Sequence, residues 1–174
     1  MATKKTAMFT LTERITLGTG ATSASAVIDL GSYVDVGDRQ ALQVHSVDFI
    51  YMGNVPDGSI FGAIPGGSTL HTQVLDLNRG GLVFANDRAL VASSQLRIDN
   101  QGGCDNETDL YPDNYGKGAD DGRFVVNDAL YCEVGTQATT VASCNVIVRV
   151  NASIVTLSQK DFMAIAIQST AADN

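Results

Sequence analysis

The 174-residue chain predicts an all-β fold, a sandwich or a barrel of antiparallel strands, from three observations. Apolar and polar residues alternate with a period of two along much of the chain, as in strands that bury one face. The strand-forming residues Val, Ile, Thr, Tyr and Phe are concentrated in these segments. Glycine-rich breaks separate the segments at short intervals, which is typical of sandwiches and barrels.

The strand segments follow one another between these turn signals. Phe9 and Leu11 open the first segment, in alternation with threonines, and the clearest alternation lies over 142–150. The segment 41–53 is apolar on both faces, so one of its faces needs a cover from outside the sandwich core. Runs between breaks predict about eight strands by the period-two rule, at 7–17, 24–36, 41–53, 58–64, 70–77, 82–98, 123–136 and 142–157.

A short helix is predicted near the C-terminus. Ser158 and Asp161 stand three residues apart, as in a capping box, and Phe162 and Ile165 follow at helical spacing. The alternative is a final strand, because Ile165 and Ile167 also fit an alternating pattern.

Charge and hydropathy exclude several classes of function. The 11 basic residues against 19 acidic ones give a net charge of −8, which argues against a sequence-independent clamp on nucleic acid. Lys4 and Lys5 are the adjacent basic pair, on a short N-terminal arm at 1–7, so direct nucleic-acid binding is expected to be weak at most. No apolar run is long enough for a transmembrane helix, and the N-terminus lacks the apolar stretch of a secretory signal. Residues 8–174 are predicted to form one domain.

The polar stretch at 100–122 is the best candidate site in the sequence. It breaks the strand period and is predicted to be an exposed loop insertion. Carboxylates gathered on one loop are the hard oxygen ligands that Ca²⁺ takes, although the EF-hand spacing is absent. The alternative is a solvated acidic loop without a metal. The candidate ligands are Asp105, Glu107, Asp109, Asp113, Asp120 and Asp121.

Two of the three cysteines stand at similar distances from a predicted turn at 135–140. A symmetric hairpin there would place Cys132 and Cys144 opposite one another, close enough for a disulfide. The alternative is a pair of small buried residues with free thiols. Cys104, on the polar insertion, is either a free thiol or an intermolecular bridge.

The sequence offers no catalytic constellation. His45 and His71 lie in strand patterns without a neighbouring nucleophile motif, and the chain has no nucleophile elbow, phosphate-binding loop or dinucleotide fingerprint. We therefore predict that the protein is not an enzyme.

The order of segments in the last third of the chain resembles that of a known family. A strand pair that includes 126–131 and 146–150 is followed by the capped segment 157–162. In this pattern the chain resembles single jelly-roll viral capsid proteins of environmental and archaeal DNA viruses, over most of its length. The resemblance implies an eight-stranded antiparallel jelly-roll sandwich with at most one short C-terminal helix, and no catalytic residues.

The same resemblance implies a function. It points to a structural coat protein that self-assembles into a virion shell through trimers or pentamers, with other virion proteins as further partners. Such a protein would be located in the virion, after assembly in the host cytoplasm. The arm at 1–7 is then expected to lie along a neighbouring subunit or the shell interior, because it has little to pack against in its own sandwich.

Two alternative functions remain open at this point. The first is a Ca²⁺-dependent, lectin-like β-sandwich module that holds a glycan at the acidic loop. Tyr111 and Tyr115 could stack on a sugar, although the absence of Trp weighs against this function. The second is a subunit of an extracellular filament, with residues 1–17 as a donated strand.

Overall fold

The computed structural model describes residues 3–56, 58–99, 104–111 and 122–170, with 104–111 and 168–170 described as backbone. These residues form ten strands and one helix. The strands are β1 Thr3–Lys4, β2 Phe9–Leu17, β3 Ser23–Asp29, β4 Gln40–Met52, β5 Ser68–Leu75, β6 Leu90–Ile98, β7 Cys104–Tyr111, β8 Arg123–Val125, β9 Ala129–Thr136 and β10 Cys144–Thr156. The helix α1 spans Gln159–Thr170.

The strands form two antiparallel sheets, named here after their central strands. The β10 sheet has the order β2-β10-β4-β8, with β1 beside β10 on the same side as β2. The β9 sheet has the order β3-β9-β5-β6-β7. Without β1 and β7, eight strands remain, four in each sheet, and the chain crosses between sheets at most connections. This is the double Greek key of a jelly roll, so the predicted eight-stranded jelly-roll sandwich is confirmed.

The sandwich core is aliphatic and is supplied by both sheets. Along β10, every second residue from Cys144 to Val150 is fully buried, as the alternation predicts. Leu42 from β4 faces Leu70 and Leu130 from β5 and β9 within one continuous cluster. The period of two therefore marks the inward face of these strands.

The C-terminal segment is helical, as the capping box predicts. The Ser158 hydroxyl accepts a hydrogen bond from the Asp161 backbone N–H at 3.2 Å and donates one to the Asp161 carboxylate at 2.7 Å. Phe162 then packs into a second apolar cluster with Ala41 of β4 and Val155 of β10. The helix α1 thus covers part of the outer face of the β10 sheet, which supplies some of the cover that the apolar segment 41–53 requires.

Four predicted strands are shorter than expected, divided or absent. The segment 123–136 divides into β8 and β9, which belong to different sheets. β3 ends at Asp29 because the chain turns at Leu30, whose carbonyl accepts hydrogen bonds from the backbone of Tyr33 and Val34. The segment 82–98 is a strand only from Leu90 onward. The segment 58–64 forms an isolated bridge, and its apolar residues anchor a loop to the core.

The N-terminal arm pairs with its own sheet, contrary to expectation. Thr3 and Lys4 stand opposite Thr156 and Val155 in an antiparallel ladder. The Lys5 backbone N–H then donates to the Ile154 carbonyl at 2.8 Å. β10 extends beyond the end of β2 and leaves a free edge there, which the arm fills because an unpaired edge exposes backbone hydrogen-bonding groups.

The polar insertion is also partly structured. β7, at 104–111, pairs with β6 at the edge of the β9 sheet, with Asp105 opposite Arg97 and Glu107 opposite Gln95. The prediction of a loop throughout 100–122 is therefore wrong over β7. An edge strand tolerates polar residues because only one of its sides is paired. Residues 112–121 lie outside the described part of the chain.

Candidate functional site

A groove of about 750 Å³ lies on the outer face of the β9 sheet, away from the sandwich core. Its floor is formed by β3, β9 and β5, and the connection between β5 and β6, at 76–89, folds over it. Its lining contains both apolar and polar side chains. The lining includes Val27, His71, Leu82, Tyr131 and Glu133.

The covering loop is held to the sheet by specific contacts. The side-chain amide of Gln73 donates to the Val83 carbonyl and accepts from the Val83 N–H, both at 2.8 Å. Leu82 lies directly over Gly135, where an added Cβ would come within 2.7 Å of Leu82 Cδ1. The absence of a side chain at residue 135 therefore allows the loop to approach the strand closely.

Ionic contacts close the ends of the same loop. Arg79 and Asp87 form an ion pair at 3.2 Å within it. At its start, the Asp76 carboxylate pairs with Arg123 of β8 at 3.0 Å, which ties the β9 sheet to the β10 sheet. The groove wall is thus fixed to both sheets of the sandwich.

Glu133 is the buried carboxylate of the groove. It stands opposite Ser25 of β3 and Gln73 of β5, and only 8% of it is exposed. The Gln73 amide is already occupied by Val83, and Glu133 forms no hydrogen bond or ion pair with the described part of the chain. Burial raises the pKa of the Glu133 carboxyl, because the charged form is deprived of water.

His71 lies beside Glu133 on the same face. It stands opposite Gly135, two residues along β9, so the two side chains are diagonal neighbours. Partial burial, and then the nearby Arg97, lower the pKa of the imidazole below its usual value. His71 is therefore neutral at pH 7, and one ring nitrogen can accept a hydrogen bond.

Three of the six candidate calcium ligands lie in the described part of the chain, on a strand away from this groove. Asp105, Glu107 and Asp109 belong to β7, at the edge of the β9 sheet opposite to β3. Asp113, Asp120 and Asp121 lie outside the described residues. Within the described ranges, no three His, Cys, Asp or Glu side chains gather into a metal site. The calcium hypothesis remains a prediction.

The predicted pairing of two cysteines across a hairpin is wrong. Cys132 lies on β9 opposite Ala26 and Val74, whereas Cys144 begins β10 opposite Leu17 in the other sheet. Both thiols are free and buried. The chain between them crosses from one sheet to the other, so equal distance from a turn does not bring the two residues together.

Burial raises the pKa of both described thiols. Burial, with smaller contributions from Glu13 and Glu133, raises the pKa of Cys132 to about 12. Burial also raises the pKa of Cys144. Cys104 lies in β7, where only the backbone is described, so its redox state remains a prediction.

The other histidine takes part in an internal contact that the sequence did not indicate. His45 Nε2 lies 2.9 Å from the Ser153 hydroxyl, which in turn donates to the Gln43 side-chain oxygen at 3.4 Å. Ser153 is 0% exposed, so a substrate cannot reach its oxygen. This Ser–His contact therefore has a structural role. It depends on the register of β4 and β10, which shifts at a bulge and cannot be derived from either strand alone.

One residue in the sequence marks the groove without belonging to any motif. Glu133 is a single carboxylate within the otherwise apolar strand 129–135. A charged residue in such a strand is rarely buried without a partner, so its presence indicates a candidate functional position.

No family model matches the chain, and no curated protein matches it. Within the described ranges, no helix has the length and apolar character needed to cross a membrane.

Proposed function

We propose that the chain is a structural coat protein that self-assembles into a virion shell. The observation that carries this proposal is the strand order, β2-β10-β4-β8 facing β3-β9-β5-β6, because jelly rolls of this kind are a common building block of capsids. The aliphatic core that spans both sheets supports a structural role. Lectin domains share this architecture, so strand order alone does not distinguish a coat protein from a lectin. Surface features must therefore support the proposal as well.

Exposed apolar side chains are the surface feature that favours assembly. Phe84, in the loop over the groove, is 87% exposed. On α1, Met163 and Ile167 stand four residues apart on one helical face, and Ile167 is 62% exposed. Such side chains on separate elements are suited to contacts with neighbouring copies, which would remove them from water. Contacts between unlike surfaces generate rings when their rotation closes and open filaments when it does not.

The N-terminal arm and the charge of the chain fit the same function. Lys4 ends the exposed edge strand β1, and Lys5 follows it directly. These basic residues are few, so a role in holding a genome is minor in this proposal. The main partner is a second copy of the chain. The arm remains an expected assembly element, because among the described strands β1 is paired only with β10, and its other edge can accept a neighbour.

The proposal is tested with matched surface variants. Ile167→Ser and Phe84→Ser should reduce particle formation, measured by light scattering and negative-stain microscopy, while Ile167→Leu and Phe84→Leu should assemble like the parent. The melting temperature of the dissociated chain should be similar for all four variants, because both side chains are exposed.

Three outcomes would count against a shell subunit. A parent chain that remains monomeric at high concentration would favour the lectin-like module. Fibres instead of closed particles would favour strand donation. Equal assembly of the serine and leucine variants would remove the surface argument.

A further inference from the structure

We propose that the groove on the β9 sheet binds a primary ammonium group carried on an apolar stem, with Glu133 as its counter-ion. This inference goes beyond the proposed shell function and does not depend on it. The shared chemistry is an alkylammonium, which either a free polyamine or the lysine side chain of a peptide can supply.

The first argument is the unpaired carboxylate. Glu133 is more than nine-tenths buried, lines the groove, and has no polar partner in the described part of the chain. Gln73, directly opposite, is held by the Val83 backbone and forms no hydrogen bond with Glu133 in the described part of the chain. A buried charge without a partner is costly, so a cation that enters the groove gains much of that energy.

The composition of the lining favours an organic cation over a metal ion. Glu133 is the sole carboxylate in the groove lining of the described residues, whereas Ca²⁺ and Mg²⁺ require several oxygen ligands. Val27, Leu82 and Tyr131 supply an apolar wall along which an alkyl stem could lie. The Tyr131 ring stands two residues from Glu133 on the same face of β9, where it can attract a cation.

The neighbouring charges permit this binding at neutral pH. His71 from β5 is neutral there and can accept a hydrogen bond from the ammonium. Arg79 in the covering loop is paired with Asp87. Arg97 is close enough to His71 to lower the pKa of its imidazole, which keeps this side chain uncharged. No ammonium of the chain occupies the site, since the described lining contains no lysine.

The test compares 1,5-diaminopentane with 1,5-pentanediol, which has the same stem without the charge. Calorimetric titration of the full chain at pH 7.5 should show binding of the diamine and none of the diol. Glu133→Gln should weaken binding at least tenfold, or about 1.4 kcal/mol. Glu133→Asp, which keeps the charge on a shorter side chain, should weaken it less. Thermal unfolding would verify that both variants are folded.

Glu13→Gln is the matched control, because it removes the same charge from β2 in the other sheet. It should bind the diamine like the parent. An Nα-acetyl-lysine amide probe separates the two sources. If this probe binds and the diamine does not, the ligand is a lysine side chain. If the diamine binds and this probe does not, the ligand is a free amine. The proposal is wrong if the diol binds equally, if neither amine binds at millimolar concentration, or if both Gln variants weaken binding equally.

Discussion

Removal of the Arg123 side chain should lower the free energy of unfolding, because Arg123 joins the two sheets through its ion pair with Asp76. Arg123 Nη2 lies 3.0 Å from Asp76 Oδ2, and the same guanidinium donates to the Arg88 carbonyl. Asp76 is only 1% exposed, whereas the Arg123 side chain keeps 21% of its surface in contact with solvent. Arg123→Met preserves much of the side-chain volume and removes the charge.

The expected magnitude follows from this burial. Removal of one partner of a buried ion pair typically costs 3–5 kcal/mol of unfolding free energy. Partial exposure of Arg123, and the remaining positive charge of Arg79, place the expected loss near the lower limit, at about 3 kcal/mol. For a domain of this size, such a loss lowers the melting temperature by about 6–12 °C.

The pH dependence gives the prediction a second, independent readout. Burial raises the pKa of Asp76, and Arg123 opposes that rise, so Arg123→Met should raise the pKa further. The folded state then holds the Asp76 proton to higher pH than the unfolded state does. Stability therefore falls as pH rises from the ordinary carboxyl pKa through the raised one. The variant should be most destabilised above that range and should recover towards the parent in acid.

Urea unfolding at pH 7.5 and pH 4.5 measures both effects. Arg149→Met is the control, because Arg149 is exposed on β10 and forms no ion pair with the described residues; its effect should be within about 0.5 kcal/mol. The double variant with Asp76→Asn should lose less than the sum of the two single variants. A loss below about 0.5 kcal/mol for Arg123→Met, or one that is equal at both pH values, would refute the reasoning.

Three further predictions concern single residues. Glu133→Gln should stabilise the chain by no more than about 0.5 kcal/mol at pH 7.5, because it removes an unpaired charge that solvent screens only in part. Since burial raises the pKa of Glu133, this gain should disappear as pH falls below that pKa; urea unfolding across pH 4–8 would show either this loss or a constant difference. Ser158→Ala should cost about 1 kcal/mol through loss of the α1 cap, and an unchanged melting temperature would contradict the capping role. Cys132 and Cys144 should resist a thiol reagent in the native chain and react on unfolding; rapid native labelling of either, identified by mass spectrometry, would contradict their burial.

The sequence predicts the fold best where local pattern and tertiary burial agree. The alternation along β10 persists because one face of that strand fills the core, and the cap at Ser158 depends on contacts within four residues. Both features are local, and both are correct. The errors at 58–64 and at β7 arise because an apolar run can anchor a loop, and a polar run can form an edge strand.

The candidate site was less predictable because it depends on contacts between distant segments. The sequence pattern places Cys132 and Cys144 in one hairpin, but a jelly roll sends the second strand to the opposite sheet. The groove joins β3, β5 and β9, and it acquires its wall from Leu82 only because Gly135 lies beneath that side chain. Strand order sets these neighbours, and no local pattern encodes strand order.

The most direct test of the shell proposal is the native mass of the full-length chain as a function of concentration, measured by sedimentation or mass photometry. The account predicts particles whose mass is a large multiple of the 18.3 kDa chain, with a discrete trimeric or pentameric species during assembly. A mass of 18.3 kDa at every concentration and ionic strength would contradict it.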